Sequence, residues 1–395
     1  MHFARLKLKN WRNFVSVDLK LGERLFITGP NASGKSNLLD VFRFLRDIAK
    51  TGGGLQQAIR ERGDLSRIRC LAARRYPDIE IEVELGEIAG SEPATWRYGI
   101  GLRQEPRGLR RVLLTHERVW KNGKQILNRP ADNEDDRKDE LRLTETHLEQ
   151  ISANRSFRPI AEAFQKTLYL HLVPQLLKFP HLANRDATGE DPFGVKFLER
   201  LMEAPEKIRR ARLRKIEQAL RIAVPELKNL TDIRDEKGFP HLEAVYQHWR
   251  PQGGKQREDQ FSDGTLRLIG LLWTLLEGDS LLLLEEPELS LHSKIVSKLP
   301  PLIWRLQKPK KRQVIVSSHS TELFSDLGIK PSEVALLRPR GSEGTVVELA
   351  EDKEDVRLLL DVLHRLGYAA AALYVDLGIG EYSQASRSKV ELVCI

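Results

Sequence analysis

The stretch Leu25-Phe26-Ile27-Thr28-Gly29-Pro30-Asn31-Ala32-Ser33-Gly34-Lys35-Ser36 constrains this chain more than any other. An apolar run enters a glycine turn, and a Lys-Ser pair opens an amphipathic pattern through Leu38, Leu39, Val41, Phe42 and Leu45. Gly29, Gly34, Lys35 and Ser36 fit the G-x-x-x-x-G-K-[ST] spacing of a phosphate-binding loop, set between a strand and a helix as that motif requires. The residue types follow from the chemistry. Backbone N–H groups at a helix N-terminus attract anions. Glycine lets the chain pass close to phosphate oxygens and adopt positive φ. Lys35 would then reach the β- and γ-phosphates, and Ser36 would ligate Mg²⁺.

A chain of 395 residues can bury a large core and exceeds one typical domain. Its net charge of +8, from 64 basic and 56 acidic residues, permits nucleic acid as a partner without establishing it. Cys70 and Cys394 are the only cysteines, which excludes a disulfide framework and a cysteine-based metal site and fits a reducing cytoplasm. Met1-His2-Phe3-Ala4-Arg5 lacks the apolar core of a signal peptide. The greasiest region, Leu268 to Leu284, is broken by Glu277, Gly278 and Asp279 and is too short to span a bilayer. A cytoplasmic protein without a membrane partner is expected.

The spacing predicts two short strands around Trp11-Arg12-Asn13, then the strand Leu25–Thr28. Residues 79–85 alternate as a half-exposed antiparallel strand, and Trp96–Ile100 follows in the same style. Asn122-Gly123, between Val119-Trp120 and Ile126-Leu127, marks a tight hairpin. Residues 131–140 are almost wholly charged and read as an exposed loop, and 145–225 turn helical. There Phe197, Leu198, Leu201 and Met202, then Leu213, Ile216 and Leu220, form apolar faces. Arg209, Arg210, Arg212, Arg214 and Lys215 put five basic residues in seven positions. Ser280–Leu284 and Gln313–Ser317 read as strands buried on both faces. Between them Leu289–Leu306 reads as a helix that Pro300 and Pro301 break or kink. Strands near Val334–Leu337 and Thr345–Leu349 precede a helix over about 354–366, and 367–395 show no pattern.

Hydrolysis needs carboxylates. Leu281-Leu282-Leu283-Leu284-Glu285-Glu286-Pro287-Glu288 delivers two acids at the carboxyl end of a buried strand, where open α/β sheets bind ligands. Alternation along a strand points neighbours apart, so the acids divide the work: Glu285 for Mg²⁺ and Glu286 for the attacking water. Phe261-Ser262-Asp263-Gly264-Thr265 opens the apolar helix Leu266–Leu276 and makes a second anion site, suited to a γ-phosphate. Ser317-Ser318-His319-Ser320 ends the next strand, where His319 can hydrogen-bond a γ-phosphate as a switch.

In the order phosphate loop, Ser-Asp-Gly, acid pair, His, the chain resembles ATP-binding-cassette-type ATPases of the SMC/RecF/OLD-like branch, which includes many "AAA family" ATPases of bacterial gene pairs. The residues that carry the resemblance are Lys9–Phe14, Gly29–Asn37, Phe261–Arg267, Leu281–Leu291 and Val314–Ser320. It implies an α/β fold: a P-loop NTPase core with a mixed sheet, an antiparallel meander plus parallel strands, and an inserted helical region. Residues 1–130 would form the N-terminal part of the core, 131–255 a mainly helical insert, 256–366 the C-terminal part, and 367–395 a tail. ATP would be bound by Gly29, Asn31, Ser33, Gly34, Lys35, Ser36 and Asn37. Two copies would sandwich two ATP molecules, with Ser262 and Gly264 of one capping the γ-phosphate held by the other and Ser290-Leu291-His292 at the interface. Glu286 and His319 would be catalytic, Ser36 and Glu285 would hold magnesium, and Gln56 or Gln57 would supply a further contact to it.

The chain departs from the family in using Glu285 where Asp is commoner and Phe-Ser-Asp-Gly where transporters have Leu-Ser-Gly-Gly. No acid cluster follows His319, so the nuclease domain of OLD-type proteins is not expected. The leading expectation is an ATPase whose ATP-dependent dimer controls an effector or nuclease partner in anti-phage defence or DNA metabolism. The alternative is a DNA-binding repair ATPase using Arg209–Lys215 and Lys308–Arg312. A transporter subunit and a non-hydrolysing scaffold complete the field.

Overall fold

The computed structural model describes residues 1–354 apart from 74–77, 88, 90–92, 106–109, 181–190, 222 and 248–253. The helix expected over 354–366 and the tail 367–395 lie outside the described residues, save Glu354. Strands β1 (His2–Trp11), β2 (Phe14–Lys20) and β3 (Arg24–Thr28) precede helix α1 (Lys35–Ala49). A meander follows of β4 (Ile79–Gly86), β5 (Trp96–Gln104), β6 (Val112–Lys121) and β7 (Lys124–Arg129), then helix α2 (Arg158–Gln165). Next come β8 (Leu168–Leu170), helix α3 (Glu206–Leu220), β9 (Leu227–Arg234), β10 (Pro240–Tyr246) and β11 (Gly254–Arg257). The last described part holds α4 (Asp263–Glu277), β12 (Leu282–Glu285), α5 (Leu299–Gln307), β13 (Val314–Ser317), β14 (Val334–Pro339) and β15 (Thr345–Leu349). The chain divides into two compact units, Met1–Leu168 with Gln313–Ile395, and Tyr169–Arg312.

The first unit contains an antiparallel sheet in the order β2-β1-β4-β5-β6-β7. Its alternation is the expected one: Ile79, Ile81, Val83 and Leu85 are buried, while Glu80 and Glu82 pair across the wet face with Lys9 and Lys7 at 3.0 and 3.1 Å. Asn122 and Gly123 both take positive φ, 48° and 78°, as the tight β6–β7 turn requires. A second set of strands runs β15-β14-β3-β13, with β3 parallel to both neighbours and β15 antiparallel to β14. Gln313 ties the two sets together. Its amide accepts from Phe3 N at 2.9 Å and donates to Phe3 O and Gly22 O at 2.8 Å each.

Helix α1 buries Leu38, Leu39, Val41, Phe42, Phe44, Leu45 and Ile48, an apolar surface too wide for a helix lying on water. Phe42 and Phe164 of α2 close on Phe3, with ring centroids 5.1 and 5.6 Å away. The buried acids of α1 are held by arginines. Arg62 reaches Asp40 and Asp47 at 2.9 Å, and Arg12 reaches Asp40 at 3.0 Å. Burial pushes the Asp40 carboxyl up, but Arg62 and Arg12 outweigh it and leave it below the usual carboxylate range.

The charged run 131–140 is more ordered than the exposed loop expected of it. Asn133 caps a helical turn, Glu134–Lys138, and Asp136 is buried. A buried carboxylate needs paired donors. Arg129 and Arg142 bond Asp136 at 2.5 and 2.9 Å, and Arg129 also meets the fully buried Glu117 at 2.9 Å.

In the second unit, α3 buries Leu213, Ile216 and Leu220, as its spacing predicts. Beyond it lies a three-stranded sheet, β11-β10-β9, that the periodicity did not reveal. In β9 the reason is a bulge: opposite Glu243–Val245 it carries an extra residue at Asn229, whose φ is +53°. Leu227 and Leu230 therefore bury three apart, which reads as helix. Pro300 and Pro301 occupy the first turn of α5, where a missing N–H costs nothing, so the chain breaks just ahead of them, after Ser293–Val296. No helix among the described residues is long and apolar enough to cross a membrane.

Removing Arg129 strands two buried carboxylates. Arg129→Met is expected to lower the unfolding free energy by about 3–5 kcal/mol, read by urea denaturation at neutral pH. His147 gives a pH signature. Burial, aided by Arg129, lowers its pKa from 6.5 to about 4. Between those two values the unfolded chain binds a proton that the folded chain refuses, so stability falls as pH drops through that window. His147→Gln should flatten that part of the stability–pH curve.

Candidate nucleotide-binding site

Strand β3 is buried along its whole length and delivers the chain into the loop at Gly29. A Cβ on Gly29 would lie 2.6 Å from the Leu337 carbonyl of β14 and 2.8 Å from Ser33 Oγ, so glycine is demanded by close approach. Gly34 opens α1 with φ +101°, and no side chain caps that end. The first turn of α1 also lacks an acidic residue. The N-terminus of this 15-residue helix therefore keeps its positive dipole end toward the loop. The buried Lys35 side chain folds back to donate to the Gly29 and Pro30 carbonyls at 2.9 and 3.1 Å. Asn31 and Ser36 are exposed beside it.

Three buried hydroxyls surround the loop without a hydrogen-bond partner among the described residues: Thr28 at the end of β3, Ser33 in the loop, and Ser317 at the end of β13. A buried hydroxyl left unmatched is costly, and a site built to receive a polar ligand is one place where it persists. Because β13 runs parallel to β3, the exposed His319 emerges at the same carboxyl edge as the phosphate loop. Asn37 packs into this arrangement from α1, donating to Asn13 Oδ1 at 2.9 Å. Gln56 and Gln57 have structural occupations. Gln56 donates to the Val112 and Thr144 carbonyls at 2.9 and 2.8 Å, and Gln57 bonds Glu61 at 3.0 Å.

The second unit holds the acid pair and the second helix terminus. Ser262 caps α4, its Oγ accepting from Thr265 N at 3.1 Å, and it remains exposed. A Cβ on Gly264 would meet the Ser290 carbonyl at 2.6 Å, which explains the glycine. Asp263 is drawn aside by Lys178 and Gln175 at 2.7 and 2.6 Å. Leu282, Leu283 and Leu284 bury β12, and Glu285 and Glu286 follow at its half-buried end. Glu286 has φ +45°, an uncommon conformation for a residue with a side chain and of a kind that gathers at functional sites.

Sequence reasoning passed over the neighbours of these acids. Tyr169, next to β12 in β8, donates its phenolic hydroxyl to Glu285 Oε2, and His171 Nδ1 lies 3.3 Å from the Glu285 carbonyl. Arg267, one turn into α4, comes within 3.5 Å of the Glu286 carbonyl. Burial lowers the Arg267 pKa against the pull of Glu288, Asp263 and Glu286. Arg267 closes the Phe261–Arg267 stretch without having been given a role, Tyr169 and His171 lie outside every motif, and only a strand placed beside β12 would have pointed to Tyr169.

The basic runs are largely occupied within the unit. Arg209 pairs with Asp232 at 2.8 Å, and Arg212 lies over the Trp273 ring at 5.1 Å. Lys310 donates to the Leu276 carbonyl at 2.6 Å, and Arg312 is buried, bonding the Ser280 carbonyl at 2.9 Å. Arg210, paired with Glu206, and Arg214 and Lys215 are exposed.

Chemically, one unit offers a cationic anion cradle at an uncapped helix end and the other a pair of carboxylates with a serine-capped helix end. Ser36 in the first unit and Glu285 in the second are each hard oxygen donors of the kind Mg²⁺ prefers, and the unmatched hydroxyls of the first unit fit a polar, oxygen-rich ligand.

Comparison with known proteins agrees with this chemistry. Among solved structures, the SMC head bound to the C-winged helix domain of ScpA shares the fold, with a TM-score of 0.52 and 16% identity over 89% of this chain and 99% of that one. The DNA replication and repair protein RecF of Agrobacterium fabrum is 36% identical over 87 residues, 22% of each chain. The tRNA-5-methyluridine(54) 2-sulfurtransferase of Thermus thermophilus is 38% identical over 84 residues, 20% of this chain and 26% of that protein. The chain thus matches only about a quarter of the length of either curated relative. Residues 25–326 match the family described as "AAA domain, putative AbiEii toxin, Type IV TA system", and the match takes in the phosphate loop, the serine-capped helix, the acid pair and His319. The chain belongs to that AAA-domain family, carries the phosphate loop of a P-loop nucleotide-binding protein, and shares the fold of the SMC head.

Proposed function

We propose that the protein hydrolyses ATP and uses an ATP-held dimer of itself to control a partner protein. The observation that carries this reading is the loop at Gly29–Ser36, where a buried lysine, an uncapped helix end and buried unmatched hydroxyls converge. When a triphosphate enters, Lys35 exchanges the Gly29 and Pro30 carbonyls for phosphate oxygens, so its charge is already in place and only its partners change. Mg²⁺, bound with ATP, supplies neutralisation of the phosphate charge, and Ser36 and Glu285 are the side chains that would hold it. Glu286 orients the attacking water and accepts its proton, and His319 hydrogen-bonds the γ-phosphate. Ser262 and Gly264 of a second copy present their helix end to that phosphate, so loss of the γ-phosphate releases the pair.

The family's printed description names a type IV toxin–antitoxin system, a two-component module, and so supports a protein partner; we place the control of that partner in defence against phage or in DNA metabolism. The internal partners of Arg209, Arg212, Lys310 and Arg312 take weight from direct DNA binding through those side chains.

Lys35→Ala is expected to abolish nucleotide binding in a fluorescent-ATP titration. Glu286→Gln should bind ATP normally, hydrolyse it about 10²–10⁴-fold more slowly, and run as a dimer in light scattering with ATP and Mg²⁺. A monomer under those conditions would remove the dimer from this reading, and wild-type turnover in Glu286→Gln would remove the acid's role. Tyr169→Phe frees the Glu285 carboxylate from its hydroxyl partner. It should raise the Mg²⁺ concentration giving half-maximal hydrolysis by about tenfold, with ATP binding in EDTA unchanged.

A further inference from the structure

The turn between β1 and β2 lies outside every phosphate-binding motif, yet its Asn13 grips the loop. Asn13 Nδ2 donates to the Ser33 carbonyl at 2.6 Å and to Thr345 Oγ1 at 2.7 Å, while its Oδ1 accepts from Asn37 Nδ2 at 2.9 Å. The turn itself is held from both sides. Thr345 N donates to the Asn13 carbonyl at 2.7 Å, and Trp11 Nε1 donates to the Asn37 carbonyl at 2.9 Å.

The Ser33 carbonyl and the Gly34 N–H belong to one peptide group. In a trans peptide those two bonds point in opposite directions. Drawing the carbonyl toward Asn13 therefore sends the Gly34 N–H to the other side, away from the β1–β2 turn. Gly34 also has no room for a side chain on the Asn13 side, since a Cβ there would lie 2.2 Å from Asn13 Nδ2. The glycine is thus required by the asparagine as well as by any phosphate.

We propose that Asn13 is a positioning residue of the nucleotide site, fixing the Ser33–Gly34 peptide so that the Gly34 N–H is presented to a phosphate of a nucleoside triphosphate. Thr345 of β15 steadies the same amide and so belongs to the support of the loop. This rests on reading Gly29–Ser36 as the triphosphate site. A purely packing role predicts something different, because loss of packing lowers the melting temperature without changing the affinity of the protein that stays folded.

The test compares full-length wild type, Asn13→Asp, Thr345→Val and Lys35→Ala by titration with a fluorescent ATP analogue in EDTA, well below each melting temperature. Asn13→Asp keeps the size and the acceptor but sets an oxygen against the Ser33 carbonyl. It should weaken binding by about tenfold or more, the worth of one good hydrogen bond. Thr345→Val removes one support at a residue outside the loop and should weaken binding about two- to fivefold. Should Asn13→Asp fail to fold, the Thr345→Val result decides alone. If Lys35→Ala loses binding while Asn13→Asp, or in its absence Thr345→Val, binds as wild type does, Asn13 has no positioning role. If Lys35→Ala itself binds as wild type does, the triphosphate reading of the loop is what has failed.

Discussion

Helix α1 is the part of the first unit that cannot move without cost. Leu38, Leu39, Phe42, Leu45 and Ile48 are all buried, and the two acids among them are neutralised by arginines from other segments. A helix packed on nearly every side has one position and one roll angle, because interiors are packed at crystal density and a shift opens voids. The consequence falls on its first turn. The backbone N–H groups after Gly34 are aimed by the core, so the anion cradle is rigid before any anion arrives, which is the condition for electrostatic stabilisation without reorganisation.

The second unit works from the same physics with different parts. Its helix α4 is apolar through Leu276 and begins at an exposed, serine-capped end. Its strand β12 is three leucines long before it ends in acid. In both units a buried element fixes direction and a short polar terminus supplies chemistry. Glu286 adds strain, with its left-handed φ, and Tyr169 and Arg267 hold the ground around it.

Much of this was legible in the sequence, and the reasons differ from one element to another. The phosphate loop could be read because its glycines answer to local demands, close approach at Gly29 and positive φ at Gly34. The meander could be read because Ile79 to Leu85 alternate without interruption. The strand β9 could not, since the bulge at Asn229 breaks the alternation on which such a reading depends. Asp136 was hidden for another reason: the partners that permit its burial, Arg129 and Arg142, stand seven and six residues away and announce nothing by themselves. Asn13 and Tyr169 show the limit most clearly. Asn13 falls in the Lys9–Phe14 stretch that carries the resemblance, yet its bond to the Ser33 carbonyl is tertiary, and Tyr169 meets Glu285 across 116 positions; no local spacing encodes either meeting.

Strand β3 stands between β13 and β14, which begin at Val314 and Val334. On a ribosome that emits the chain from its N-terminus, β3 and the loop it feeds emerge long before either neighbour exists. Closing so long a loop is slow, and an unpaired apolar strand is exposed to wrong partners in the interval. The nascent chain therefore carries the phosphate-loop residues for most of its synthesis without the sheet that shapes them. β3 gains its sheet neighbours only once the residues after Gln313 have been made, and a product cut short in the second unit would carry the motif without β13 and β14 beside it.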